Sequence, residues 1–414
     1  MELQITATDP GHPTTLLDLP WDVPLAAWPE RHLVALPRGI SRHVVRFARA
    51  GHDVFAVKEV GEGAAVREYP LLRALARLAV PAVDPVAVVP GRADAHGEPL
   101  EPVLITRQLK GSLPYRSMFE TTMRPGTIQR LLDALAVLLV RLHLTGFAWG
   151  DCSLSNTLFR RDAGAYAAYL VDAETGQLQP RLTDGQRHYD LDVAQVNIVG
   201  ELMDLEAGGS LHPAVDPVPF GRELIDRYGA LWHELTRTSV YPRDKRHYID
   251  RRIRRLNDLG FDVAEMQIQR SPDGDHVTFL PKVVDAGHHQ RQLLRLTGLD
   301  AEENQARSLL NDLETWMASQ EDFVPGDASP DDEAPGARPE VLAHRWVRDV
   351  FRPAVRAVPA ELREGLDTAQ IYHELLEHRW YLSERAQRDV GMAAAADDYI
   401  ATVLAGRPDG TDVP

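Results

Sequence analysis

The chain has 414 residues, 44% of them hydrophobic and 26% charged, with a net charge of −16. That length suits two domains or one elaborated domain with a sizeable core, and the negative charge argues against broad electrostatic binding to nucleic acid or anionic lipid. The single cysteine, Cys152, excludes an intramolecular disulfide framework and fits a reducing compartment. The first residues lack the basic flank and apolar run of a signal peptide. No uninterrupted apolar run reaches the length of about 18 residues that a membrane span needs. A soluble, cytoplasmic chain without membrane insertion is expected.

In chain order, residues 1–31 read as an irregular lead whose Trp21 and Trp28 are expected to pack onto the body. Strand-like runs follow at 32–36, 43–50 and 53–60, and their alternation around the turn at 50–53 predicts an antiparallel meander. The polar segment 37–42 holds one glycine, Gly39, and by itself reads as an ordinary hairpin turn. A turn over a nucleotide would need backbone N–H groups free to face phosphate.

The third strand ends on Phe55-Ala-Val-Lys58. A lysine on the apolar face of a strand incurs a desolvation cost unless an anion meets it. Arginine is abundant while lysine is confined to Lys58, Lys110, Lys245 and Lys282, so the lysine at 58 asks for a reason. Residues 64–79 carry Val66, Tyr69, Leu72, Leu75, Ala76 and Leu78 at mostly helical spacing, and Pro70 is expected to kink or divide that helix. Glu68, on its first turns, can reach back to Lys58; otherwise the lysine snorkels and the glutamate is solvated. Strands at 83–89 and 103–108 come next, separated by the Gly/Asp/Pro-rich loop 90–102. The backbone of Gln108 to Leu109 then leaves the sheet, either as a plain crossover or as a place for an adenine ring.

Thr127 is expected to cap a helix with Ile128, Leu131, Leu132, Leu135, Leu138, Leu139 and Leu142 on one face and Gly146 as terminator. His143, at its end, reads as structural. Next come Asp151-Cys-Ser-Leu-Ser-Asn156, with the spacing D-x-x-x-x-N, a tyrosine-rich strand, and Val171-Asp172-Ala-Glu174. Phosphoryl transfer from ATP needs such groups close together. One carboxylate orients the attacking hydroxyl, while an amide oxygen and a second carboxylate hold Mg²⁺ against the phosphates. The spacing alone is common by chance; its weight comes from the order Lys58, Glu68, long helix, Asp151/Asn156, Asp172. Beyond it, Asp190 or Asp192 leads the helix at 193–205 and either accepts N–H groups of the 151–156 loop or acts as an N-cap.

That ordered set, with Leu142-His143, Gly146, Gly150-Asp151 and the Asp172 turn, resembles the protein-kinase-like superfamily over about residues 32–215. It is most similar to the compact bacterial lipopolysaccharide core (Kdo/heptose) kinase branch, and to an actinobacterial family with a kinase-like N-terminal half. The resemblance implies an α+β, two-lobed fold, with an antiparallel-sheet N-lobe at 32–110 and a helical C-lobe at 111–215. It also implies ATP and Mg²⁺ as cofactors. Lys58 and Glu68 become the phosphate-binding pair, Asp151 the catalytic base, and Asn156 and Asp172 the metal ligands. Gly39, Ser41 and Arg42 are what remains of a phosphate-covering turn. Trp149-Gly150 stand where His-Arg precede the catalytic aspartate in protein kinases, which argues against control by an activation-loop phosphate. Asp172-Ala-Glu174 replaces Asp-Phe-Gly, leaving Glu174 as an extra metal ligand or a disturbing charge.

From 216 a mainly helical extension is expected to 320, with helices at 223–236, 243–259, 288–296 and 301–317 and a hairpin at 264–283 around the turn 271–275. Arg251, Arg252, Arg254 and Arg255 read as a solvated helix face rather than a phosphate-binding stripe, and His288-His289 lack metal-spaced partners. The acidic, Pro/Gly-rich stretch 321–340 reads as a linker. A last helical module at 341–405, with helices at 341–350 and 368–390, carries Trp346, Tyr372, Trp380 and Tyr381 and is expected to pack onto the body or dock a protein partner. The leading expectation is an ATP/Mg²⁺-dependent phosphotransferase acting on a hydroxyl of an unread acceptor. The rivals are a pseudokinase binding module and, last, a nucleic-acid-associated protein using Arg251 to Arg255.

Overall fold

The computed structural model describes residues 5–7, 13–36, 43–51, 53–119, 126–237, 239–242, 261–270, 276–320, 338–363 and 366–404. The chain divides into two compact units. The first holds residues 1–160 and 167–232; the second holds 161–166 and 233–413.

The first unit opens with an antiparallel five-stranded sheet in the order β1-β4-β5-β3-β2, formed by β1 (Thr6–Ala7), β2 (Val45–Ala50), β3 (Asp53–Glu59), β4 (Pro85–Val89) and β5 (Val103–Arg107). Strand alternation decides which side chains go where. Phe55 and Val57 of β3 join a core with Leu16, Leu19, Trp21, Leu25 and Trp28, so the N-terminal lead covers one face of the sheet. Trp21 and Trp28 meet edge to face at 5.3 Å. Lys58, one residue on from Val57, points the other way.

Three local expectations give way. The run 32–36 is no strand: residues Glu30–His32 form a 3₁₀ turn after Pro29, and only Leu33 bridges to Ala48. The helix α2 (Glu62–Arg77), after the short α1 (Pro13–Leu16), runs through Pro70 undivided. Losing one N–H costs less than burying Tyr69, Leu72 and Leu75 recovers. Thr127 is not a cap; Gly126, at φ +80°, holds that position and Thr127 is the first, buried residue of the helix Thr127–Leu144.

The rest of the first unit is mainly helical around a small sheet. That sheet has the order β6-β8-β9, from β6 (Ser112–Pro114), β8 (Thr157–Asp162) and β9 (Ala165–Leu170), while the short β7 (Phe147–Ala148) pairs separately with Gln177–Leu178. Gly146 ends the long helix as expected. Its φ is +85°, and a Cβ there would lie 1.9 Å from the Gln179 carbonyl. A second long helix, Asp184–Ala207, starts from a Thr183/Gln186 capping box.

In the second unit a three-stranded sheet, Ser239–Pro242, Phe261–Arg270 and His276–Ala286, realises and extends the expected hairpin. The helices His288–Thr297, Glu303–Ala318, Pro339–Trp346, Arg352–Ala357, Thr368–Ala386 and Gly391–Tyr399 follow. They share one core containing Leu293, Leu309, Leu313, Trp346, Phe351, Tyr372, Leu375 and Tyr399. Trp346 and Tyr372 both donate to Asp312, at 3.0 and 2.7 Å. The helix Thr368–Ala386 is only half as expected: Tyr372 and Leu375 are buried, but Trp380 is 66% and Tyr381 50% exposed. The expected helix at 243–259, with Arg251 to Arg255, the turn 271–275 and most of the linker lie outside the described residues. Among the described residues, no helix is long and apolar enough to cross a membrane.

Candidate active site

Lys58 stands on β3, a strand hydrogen-bonded on both sides, with Val45 and Leu104 as its register partners. Its ammonium lies 3.2 Å from Glu68 Oε2 and 2.7 Å from Asp172 Oδ2. Glu68 is fully buried on α2 and also accepts the Ala173 N–H at 3.4 Å. One cation therefore faces two carboxylates in a poorly solvated place. Burial works against the charge on Lys58, but Glu68 and Asp172 outweigh it and raise its pKa. Burial lifts Glu68 to about 7 despite Lys58. Asp172 is also opposed by burial, yet Lys58 and the Glu174 N–H hold its carboxyl below the usual range. Glu68 is thus the member that takes a proton first.

The 151–156 loop is built by donors and acceptors that the sequence scatters. The Asp190 carboxylate accepts the N–H groups of Trp149 at 2.8 Å and Gly150 at 2.6 Å, and His143 Nε2 lies 2.9 Å away. Burial opposes its charge, and these contacts still lower its pKa. Of the two roles open to Asp190, anchoring the loop is the one observed, since Thr183 is the N-cap of the helix Asp184–Ala207. His143 is buried between Asp190 and the Tyr228 hydroxyl, which lies 2.8 Å from Nδ1, consistent with a structural part.

Asp151 receives a donor on each oxygen: Asn156 Nδ2 at 3.1 Å on Oδ2 and Asn197 Nδ2 at 3.1 Å on Oδ1. Glu201 accepts the backbone N–H groups of Leu154 at 2.6 Å and Ser155 at 3.1 Å. Asn197 and Glu201 were not foreseen from the sequence. Their signal is the spacing 190, 194, 197, 201, which lies along one helical face.

Trp149 couples this loop to the Asp172 loop. Its indole N–H donates to the Asp172 carbonyl at 2.7 Å, and Thr175 Oγ1 donates to the Trp149 carbonyl at 2.8 Å. The two strands of the β8–β9 hairpin connect the loops covalently, and Val171 N donates to Asn156 O at 2.9 Å at its base. Lys58, Glu68 and Asp172 are therefore in direct contact, Asp151 and Asn156 are in direct contact, and Trp149 ties the groups together. Glu174 turns aside, with Oε2 3.8 Å from His43 Nε2. Cys152 is fully buried; burial, then Asp190, Glu201 and Asp151, push its thiol well above the ordinary range, so it is not a ready nucleophile.

The Gln108–Leu109 segment is partly committed. Gln108 N donates to Val54 O at 3.1 Å, while Leu109 O accepts from Gln108 Nε2 at 2.8 Å and Ser112 Oγ at 2.7 Å. Gly39, Ser41 and Arg42 lie outside the described residues. Asn156 and Asp172 offer an amide and a carboxylate oxygen, the hard donor pair that suits Mg²⁺ shared with phosphates. Among the described residues no three His, Cys, Asp or Glu side chains gather into a cage of their own.

Residues 42–197 match the model of the lipopolysaccharide kinase (Kdo/WaaP) family, which bears out the resemblance to that kinase-like branch over this stretch. Residues 230–404 match a domain of unknown function, DUF4032. Among solved structures, "WaaP in complex with acyl carrier protein" is similar with 14% identity and a TM-score of 0.37, over 62% of this chain and 99% of that one. No curated protein sequence matches the chain.

Proposed function

We propose that the first unit is an ATP- and Mg²⁺-dependent phosphotransferase that phosphorylates a hydroxyl group. The observation that carries this reading is the largely buried Lys58, paired with Glu68 at 3.2 Å and Asp172 at 2.7 Å. One ammonium serving two carboxylates is a poorly balanced arrangement for a structural ion pair, and a phosphate together with a cation would rebalance it. Phosphate oxygens would take over the Lys58 ammonium from Asp172, and Glu68 would keep the lysine aimed. Asn156 and Asp172 would hold Mg²⁺, which when bound neutralises charge on the phosphates.

Asp151 would accept the proton of the attacking hydroxyl. Donors from Asn156 and Asn197, one per oxygen, fix the plane of its carboxylate and leave a lone pair on each oxygen. Catalysis would come mainly from positioning. An adenine edge at Gln108–Leu109 would have to use groups other than the Gln108 N–H and the Leu109 carbonyl, or displace the Gln108 and Ser112 side chains. The acceptor class is open to small molecules, glycolipid precursors and protein hydroxyls alike.

The deciding experiment is calorimetric titration of ATP with Mg²⁺ into the wild type and Asp172→Ala at one ionic strength. Saturable wild-type binding that needs Mg²⁺ and is lost in the variant is expected. No binding to the wild type at millimolar ATP would sink the reading and leave a nucleotide-free binding module in its place.

A further inference from the structure

The β8–β9 hairpin joins the two halves of the candidate site: Asn156 immediately precedes β8, and Asp172 follows β9 by two residues. Its far end belongs elsewhere. Residues 161–166 cluster with the second unit, although the strands they terminate start and finish in the first.

That tip is held by a dense polar network. The Asp162 carboxylate, 3% exposed, accepts Asn304 N at 3.1 Å, Asn304 Nδ2 at 2.9 Å and Gln305 N at 2.9 Å, and so satisfies the first turn of the helix Glu303–Ala318 from outside it. Gln305 Nε2 donates to Arg161 O at 3.2 Å and to Gln370 Oε1 at 2.7 Å. The same Gln370 oxygen accepts the Ala163 N–H at 3.2 Å, and its amide nitrogen donates to Glu374 at 2.9 Å. Ala163 is one of three non-glycine residues described with positive φ, at +58°. A left-handed alanine costs conformational energy and persists where its surroundings fix it. Gln370 supplies such a fixed partner. Burial keeps the Asp162 carboxyl above its ordinary pKa even against the donors from Gln305 and Asn304.

Nothing in a plain β-hairpin asks for this. A two-residue turn of Ala and Gly can be solvated at little cost, and an exposed tip would leave Asp162 free in water. Here an otherwise costly buried carboxylate is retained together with three amide side chains. The residues that receive it, Asn304, Gln305 and Gln370, all lie within the stretch that matches DUF4032.

We propose that the helical second unit acts on the candidate active site through the β8–β9 hairpin, with Asp162 and Gln370 as the positioning residues that hold its tip. The hairpin is the lever. Its six-residue strands span about 20 Å at a rise of roughly 3.3 Å per residue, and its base carries the Asp151/Asn156 loop on one side and the Asp172 loop on the other. Rotation or release of the tip would change the separation of those loops, which the Val171–Asn156 backbone bond and the Trp149 contact otherwise set. The second unit would then be the part of the chain through which a bound partner or acceptor biases catalysis. This rests on the reading of Asp151, Asn156 and Asp172 as the reacting groups.

The test is amide hydrogen exchange on the full chain without nucleotide, comparing the wild type with Asp162→Ala and Gln370→Ala. Exchange about tenfold faster at Leu154, Ser155, Ala173 and Glu174 is expected, with Val57 and Ile105 in the N-terminal sheet unchanged. Acceleration confined to 161–166 and 303–305, or none at all, would overturn the proposal. If Asp162→Ala fails to fold, Gln370→Ala decides alone, because it leaves the three bonds to Asp162 in place. The readout needs neither ATP nor an acceptor. Failure of ATP to bind would therefore count against the phosphotransferase reading without touching this result.

Discussion

Two cations on opposite sides of β3, Arg92 buried and Lys58 largely so, show how a complete and an unbalanced charge arrangement differ. Lys58 and Glu59 are neighbours and face opposite ways. On the Glu59 side, Arg92 spends its donors on fixed partners: Trp21 O at 3.0 Å, Glu59 Oε1 at 3.0 Å, Glu101 O at 2.9 Å and Val23 O at 2.5 Å. One positive charge meets one negative charge there, and main-chain carbonyls take three further N–H groups. On the Lys58 side, one ammonium meets Glu68 and Asp172. The first arrangement is complete and binds the N-terminal lead to the sheet. The second carries an unmatched negative charge that a metal ion and a phosphate together can accommodate. The planar fork of arginine suits the former, and the compact ammonium of lysine suits the latter.

The largest expected effect breaks the structural side. Arg92→Ala takes the cation from the largely buried Glu59 and a donor from each of three carbonyls, of which only Val23 O keeps another among the described residues, the Trp28 indole N–H, and should cost about 3–5 kcal/mol in urea unfolding. Lys58→Met should cost less, on the order of 1–2 kcal/mol, because Glu68 can take up a proton; it should also abolish ATP binding. Equal losses for the two variants would erase the distinction.

Trp149→Phe keeps the ring packing and removes one hydrogen bond, to the Asp172 carbonyl. A loss of about 1 kcal/mol in stability is expected, with weakened Mg²⁺-dependent nucleotide binding as the sharper readout. Glu68→Gln gives the smallest effect, in the shape of a pH profile. The folded-state pKa of Glu68 is raised from 4.5 to about 7, so its contribution to stability is fully present below pH 4.5 and is lost as pH rises through about 7. Asp172 has the opposite sign: its folded pKa is lowered, so its contribution is present above the ordinary carboxylate pKa and lost as pH falls through the folded value. Urea midpoints between pH 4.5 and 7 should therefore slope less steeply downward in Glu68→Gln than in the wild type. An unchanged slope would remove Glu68 from the titrating cluster.

Much of the site was legible because its chemistry comes in order along the chain. A lysine at the end of a strand and a glutamate on the next helix can meet only if the helix folds back over the sheet, and short connections make it do so. Asp151 and Asn156 are five residues apart and meet within one loop. The supporting groups were harder to see. Asn197 and Glu201 look like solvated helix residues until the opposite partner is known, and Asp190 reads equally as a cap. Local errors have local causes. Residues 32–36 have strand-like composition but find a partner only at Leu33, after Pro29 turns the chain. Pro70 reads as a breaker because the sequence does not display the buried face that keeps the helix going. Trp380 and Tyr381 share a helix with buried Tyr372 and Leu375, and the stripe interrupted by charges did not reveal where burial ends.

The placement of Trp149 also gives the molecule an optical handle. Its indole N–H is bonded to the carbonyl of Asp172, with no exposed ring surface, so its emission reports on the polarity and distance of that single loop. The chain has seven tryptophans, and subtracting the Trp149→Phe spectrum from the wild-type spectrum isolates this one. Closure or release of the Asp172 loop can thus be followed in real time, in the unlabelled protein, by light alone.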